Sequence, residues 1–197
     1  IPNRDITMFF WHILWIGRLN TNCIFVFIIF IHIYNYDTLL HTKIYSIKMV
    51  EIEQFFEDYK LGAERITVGR TITETDIVMH AMHSGDFYPH HTDAEFAKKG
   101  PFGQRIAQFS CTFSIGIALT ASIINKRAFT YGFERLRFPN PVFIGDTIHT
   151  KVTIKEKKDD PKRPQYGQVN EACEILNQND KCVCYSEHIL LVERKKT

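Results

Sequence analysis
The chain has 197 residues, of which 45% are hydrophobic and 23% charged, the mix of one globular domain with or without an appendage and not of a disordered chain. A formal net charge of +2 excludes a nucleic-acid binder held by bulk charge. The five cysteines, Cys23, Cys111, Cys173, Cys182 and Cys184, are too few and too irregular for a disulfide framework. Cys182 and Cys184 form C-x-C rather than C-x-x-C, so the cysteines read as small hydrophobes.

Residues 1–48 stand apart. They hold 11 isoleucines, both tryptophans, four Lys/Arg and two Asp/Glu, leaving 20 basic and 20 acidic groups on the other 149 residues. Their apolar runs are about half the roughly 20 residues of a membrane-spanning helix, and Arg18, Asn20 and Asn22 separate them. No small-residue cleavage site of a signal peptide follows Tyr34. A membrane anchor, an interfacial or partner-binding helix, and a segment outside the working protein are the three readings. The last is preferred: the chain begins with Ile, the Ile/Phe/Asn/Tyr bias is that of translated AT-rich DNA, and Met49 opens ordinary acidic sequence. The functional fold is therefore expected to be one domain over 49–197.

From there, Glu51 to Lys60 predicts a short amphipathic helix stopped at Gly62, and Arg65 to Thr73 a β-branched strand. Thr73 is placed to cap a helix with Glu74 and Asp76 in its first turn, ending near Ser84-Gly85. The loop Asp86-Phe87-Tyr88-Pro89-His90-His91 follows. Thr92 and Glu95 have the spacing of a capping box opening a helix to Lys99. Residues 105–124 are apolar nearly all round and predict a buried helix. Arg105, Gln108 and five Ser/Thr residues argue against a membrane span. Strand-like runs then cover 128–138, 146–157, 166–177 and 181–193, parted by Pro139-Asn140-Pro141, Asp159-Asp160-Pro161 and Asn177 to Asp180. One buried helix followed by antiparallel strands is an α+β domain, and a sheet wrapped round the helix is what buries it on most sides.

Polar chemistry concentrates between Asp86 and His91. Five positions apart on a helix they would point roughly 140° apart, but a Pro-kinked loop can aim both into one pocket. A carboxylate with a pKa near about 4 and an imidazole near about 6.5 form a base and proton shuttle able to share one water. Alone, this spacing is weak and favours a solvated loop with an incidental Asp and His. A zinc site from His80, His83, His90, His91 and Asp86 is disfavoured, because His90 and His91 are adjacent and face apart in an extended loop. The G-x-S-x-G, Walker A and G-x-G-x-x-G signatures are absent from the sequence.

The stretch GRTITETDIVMHAMHSGDFYPHHTDAEFAKKGPFGQRIA, a buried helix, and then RLRFPNPVFIGDTI together resemble the MaoC-like dehydratases, (R)-specific enoyl-CoA hydratases of hotdog fold. The resemblance covers about residues 62–155. It implies an antiparallel sheet round a long central helix, a homodimer or dimer of dimers, a cytoplasmic setting, and an acyl-CoA thioester as substrate. It implies syn addition of water to a trans-2-enoyl-CoA, with Asp86 and His91 holding the water. The backbone N–H of Phe109 would meet the thioester oxygen, and Tyr88 and Ser114 would contact substrate. No metal, redox cofactor or nucleic acid is implied; coenzyme A belongs to the substrate. The chain departs from the family pattern at Tyr88 (usually Asn), at His90 (usually aliphatic) and at Gln108-Phe109 (usually His-Gly). The family's helical serine aligns with Ile117 or, less closely, Ser114. A hotdog thioesterase and a non-catalytic acyl-CoA-binding subunit are the alternatives. The thioesterase would place a carboxylate on or beside the central helix, and residues 105–124 have none.

Overall fold
The computed structural model describes residues 50–196, so the expectation for 1–48 lies outside the described residues. The elements are β1 (Val50–Ile52), a 3-10 turn (Phe56–Asp58), β2 (Glu64–Ile66), β3 (Arg70–Thr71), α1 (Glu74–Ser84), α2 (Pro89–Thr92), α3 (Ala94–Lys99), α4 (Phe109–Thr120), β4 (Ile123–Asn125), β5 (Ala128–Arg137), β6 (Thr147–Asp159), β7 (Tyr166–Leu176) and β8 (Cys182–Glu193). The main sheet runs β2-β6-β7-β8-β5, with β3 also on β6, and every pair in it is antiparallel. β1 and β4 form a separate parallel pair. This is the expected α+β domain.

Alternation builds the floor. On β7, Val169, Glu171, Cys173 and Ile175 are all buried, and on β8 their partners are Leu190, His188, Ser186 and Cys184. α4 lies on this face. Gly116 touches it so closely that a Cβ there would stand 2.2–3.0 Å from three side-chain carbons of Ile175. The Thr150 hydroxyl of β6 donates to the Gly116 carbonyl at 2.7 Å, a buried bond seating helix on sheet. Phe113 meets Phe133 of β5 edge-on at 5.0 Å. Ile72, Ile77, Ala107, Val142, Ile148, Ile175, Val183 and Cys184 form the core at the site end of the helix.

Three elements differ from expectation. Glu51 to Lys60 is β1 and a 3-10 turn instead of a helix. β1 pairs with β4, and Phe56 drops against Gly167, where a Cβ would meet its ring at 2.3 Å; Lys157 and Arg194 cover that ring. These long-range contacts outweigh a local helical pattern. The strand over 65–73 is two short strands, β2 and β3, both on β6. The buried helix is 109–120, shorter than 105–124. Ile106 is bridged to Phe143 and Ala107 N–H bonds the Val142 carbonyl at its entrance, while 123–125 leave to form β4. Among the described residues, no helix is long and apolar enough to cross a membrane.

Candidate functional site
α1 begins where Thr73 accepts from the Asp76 N–H and Asp76 accepts from the Thr73 N–H, a reciprocal box. It ends at Gly85, whose φ of +79° turns the chain out of the helix. Asp86 emerges there. Its amide donates to the Ser84 hydroxyl at 3.2 Å, and its Oδ1 accepts from the Tyr88 N–H at 3.4 Å.

The loop expected over Asp86 to His91 contains one helical turn. Pro89 occupies the first position of α2, where a missing N–H costs nothing. That turn swings His91 back toward Asp86, and Thr92 fastens it by donating to the Phe87 carbonyl at 3.1 Å. Thr92 is therefore not the cap of the next helix; Asp93 is, accepting from the Phe96 N–H at 2.9 Å.

His91 is buried, and its Nδ1 lies 2.8 Å from the Ile106 carbonyl. A carbonyl only accepts, so Nδ1 carries the proton, and in the neutral ring Nε2 carries the lone pair. Nε2 faces Asp86 Oδ2 at 3.8 Å, beyond a direct hydrogen bond. That gap is narrow enough for one oxygen to bond to both groups. The proton on Nδ1 and the lone pair on Nε2 are the arrangement a base needs.

His91 also lines a cavity of about 300 Å³ with Phe102, Phe109, Thr112, Phe138 and Asn140 among its walls. Asp86 is not a lining residue and reaches the site through His91. The N–H of Phe109 belongs to the first turn of α4, whose amide groups have no acceptor within the helix and point out of its positive end. Gln108 is fully buried and donates to the Ile77 carbonyl at 3.2 Å, closing the seam between α1 and α4. Arg105 pairs with Glu74 across the same seam at 2.8 Å.

The structure thus gathers Asp86, His91 and Phe109. Tyr88 flanks them, with its exposed ring 5.3 Å from that of His90 and 6.4 Å from that of His91. Ser114 is not brought in: it is exposed, its hydroxyl donates to the Cys111 carbonyl at 3.1 Å, and it does not line the cavity. Thr112 takes the inward position instead. Sequence reasoning passed over it, although it stands one turn from Phe109 on the same helix face. The Ile106 carbonyl, which sets the tautomer of His91, left no sequence signal because every residue has a carbonyl.

A larger cavity of about 480 Å³ lies at the C-terminal half of α4. Its floor holds Arg65, Glu171, His188 and Thr130. Arg65 clamps Glu171 with two bonds of 2.7 and 3.1 Å. His188 lies 3.4 Å from the same carboxylate and 2.9 Å from the Thr130 hydroxyl. Burial pushes the Glu171 carboxyl up, but His188 and Arg65 outweigh it and hold it below its usual range. Glu171, Cys173 and His188 are near enough to suggest a metal. The donors do not suit one: Arg65 occupies the carboxylate, and burial pushes the Cys173 thiol up to about 12, far from the thiolate a metal needs. These groups satisfy one another, whereas Asp86 and His91 face each other across a gap. The smaller cavity therefore holds the open chemistry.

An antiparallel sheet curled round one helix, with a carboxylate and an imidazole joined at the helix entrance, defines a hotdog protein with a polar site. The chain belongs to the MaoC-like family: a family model described as "MaoC like domain" matches residues 58–174. It is 30% identical over 142 residues to a 3-hydroxybutyryl-CoA dehydratase of Methylorubrum extorquens, covering 72% of this chain and 86% of that protein. It is 38% identical over 106 residues to Protein MaoC of Klebsiella aerogenes, covering 53% of this chain and 31% of that longer protein. A solved structure described as a monoamine oxidase regulatory protein from Archaeoglobus fulgius superposes with a TM-score of 0.69 at 33% identity, over 75% of this chain and 99% of that one.

Proposed function
We propose that this chain adds water to trans-2-enoyl-CoA thioesters, or removes it from the 3-hydroxyacyl-CoA products, with Asp86 and His91 sharing the water. The observation that carries the reading is the 3.8 Å gap between Nε2 and Oδ2. A water there donates one hydrogen to each group. As its oxygen bonds to C3, one of its protons passes to Nε2. The C2–C3 π pair shifts toward C1 and the thioester oxygen becomes an enolate. The imidazolium then gives its proton to C2. Because one group takes and returns that proton beside the attacking oxygen, both new bonds form on one face, which is syn addition. Asp86 fixes the water and steadies the imidazolium. The Phe109 N–H at the positive end of α4 receives the enolate. This cycle calls on no metal and no redox cofactor. The dehydratase name of the Methylorubrum relative supports the same chemistry and substrate class.

The working unit in this reading is the domain 49–197 in a homodimer. Among the described residues, β5 pairs only with β8, so its other edge is open. A second copy adding its own β5 joins the two sheets and covers that edge. Free Cys111, Cys173, Cys182 and Cys184 fit the reducing cytoplasm.

The test is hydration of crotonyl-CoA, followed by loss of the enoyl-thioester absorbance. Asp86→Asn and His91→Ala should each lower kcat by about 10²–10⁴-fold, the scale of a general acid–base group. Either variant working at the parent rate, with its circular dichroism unchanged, removes the site.

A further inference from the structure
Apart from its edge-on contact with Phe138, the ring of Phe109 takes no part in the core. Phe113, one turn later, turns inward against Phe133. The core behind the helix closes around Ile72, Ile77, Ile148 and Ile175 without Phe109. Phe109 is 60% exposed, an unfavourable place for so large an apolar surface unless something covers it. The backbone makes no demand either: Gln108 is extended at φ −60° and ψ 142°, and Phe109 begins a regular helix, so any L-residue fits. What the ring does is wall the cavity that His91 opens into, edge-on to Phe138 at 5.3 Å and 61°. Phe102 adds a third ring to the lining.

We propose that Phe109, backed by Phe138, is the chain-length stop of this cavity, so that the protein takes acyl-CoA thioesters with short acyl groups and turns away long ones. The proposal rests on the reading of this cavity as the acyl site. Two features of one residue carry it. In that reading the Phe109 N–H holds the thioester oxygen, and the Phe109 ring leaves the same Cα. The anchor of C1 and the wall beside the acyl chain are therefore fixed to each other, and the chain meets the ring within about one phenylalanine side-chain length of the carbonyl. The volume agrees: about 300 Å³ lies at the bottom of the roughly 300–1,000 Å³ range of small-molecule sites. Little room is left once a thioester head is in place.

The test separates the stop from the hydration chemistry by using ligands that cannot react. Butyryl-, hexanoyl-, octanoyl- and dodecanoyl-CoA are titrated into the parent, Phe109→Ala and Phe138→Ala by calorimetry, with circular dichroism confirming each fold. The parent should bind butyryl- and hexanoyl-CoA and lose affinity at octanoyl-CoA and beyond. Phe109→Ala should gain about fourfold in affinity for each methylene beyond butyryl-CoA, the worth of one buried CH₂. Phe138→Ala should shift the profile the same way by a smaller amount, and it carries the test alone if Phe109→Ala fails to fold. A parent whose affinity climbs steadily to dodecanoyl-CoA, or variants with the parent's profile, would overturn the stop. A parent that binds short acyl-CoA selectively but leaves crotonyl-CoA unhydrated upholds the stop and sinks the hydratase reading.

Discussion

Glu171→Gln tests how the sheet floor carries charge in its interior. The Glu171 side chain is 3% exposed, and both of its oxygens serve Arg65. His188, stacked on Phe133 at 4.5 Å, faces the same carboxylate. Glutamine keeps the shape, removes the charge and turns an amide N–H₂ toward a guanidinium. Breaking one side of a buried pair costs about 3–5 kcal/mol. The Arg65 side chain is 36% exposed and can turn to water, which sets the loss near the low end, about 3 kcal/mol. At about 2–4 °C per kcal/mol for a chain of this size, Tm should fall by about 6–12 °C. Arg65→Met with Glu171→Met should recover most of this, because no charge is then stranded. The pH dependence has a definite sign. The folded carboxyl is held below its unfolded value, so its contribution is complete above the unfolded pKa of about 4.3 and is lost as pH falls through the folded one. The gap in Tm between parent and Glu171→Gln should therefore narrow from about pH 7 to about pH 3. Differential scanning calorimetry across that range decides it. A gap below about 2 °C at neutral pH, or one that stays flat on acidification, would refute the reasoning.

Gly116→Ala should destabilise by up to about 2 kcal/mol in a thermal melt: overpacking against Ile175 costs about 1–3 kcal/mol, offset by about 1 kcal/mol of helix propensity. Gly132→Ala, where a Cβ meets nothing within 4 Å, is the control and should change stability by less than about 0.5 kcal/mol; equal effects at both sites would deny the close approach of α4 to β7. Cys173 and Cys184, whose thiols burial pushes up to about 12, should resist iodoacetamide in the native protein and react in urea, read by peptide mass. A chain of residues 49–197 should express as a folded dimer by light scattering; aggregation of that chain, where the full chain is well behaved, would assign residues 1–48 a structural role.

β6 and most of β7 are legible because burial alternates along them as apolar and polar residues do; β5 and β8, whose burial does not alternate, are legible from the turn residues that bound them. β6 runs Ile148, Thr150, Val152, Ile154 on its buried side. The start of α1 was legible from Thr73 and Asp76, whose cap is local in sequence. The segment 51–60 reads locally as a helix because its partners are distant in sequence: Gly167 lies about 110 residues from Phe56, and β4 about 70 from β1. The cap one residue past Thr92 was missed because Thr92 bonds backward to Phe87 and Tyr88. Asp86 and His91 were found as a pair, but the turn at Pro89 that joins them was read as irregular. Glu171 and His188 sit at inward positions of alternating strands, and a charge in such a place was a signal that composition alone does not weigh.

The strand order has a consequence for how the chain is made. β6, β7 and β8 form a meander of neighbours, yet the Asp86–His91 turn and α4 precede all three. During synthesis the half that bears Asp86, His91 and α4 therefore leaves the ribosome before the surface it rests on exists. α4 emerges with Gly116 and Phe113 bare, and β2 waits for partners on β6 that are 85 to 89 positions downstream. Sequence-distant pairing of this kind is slow. The newborn chain must stay unaggregated until β8 has been added, a demand that falls on chaperones and translation speed and not on the finished fold.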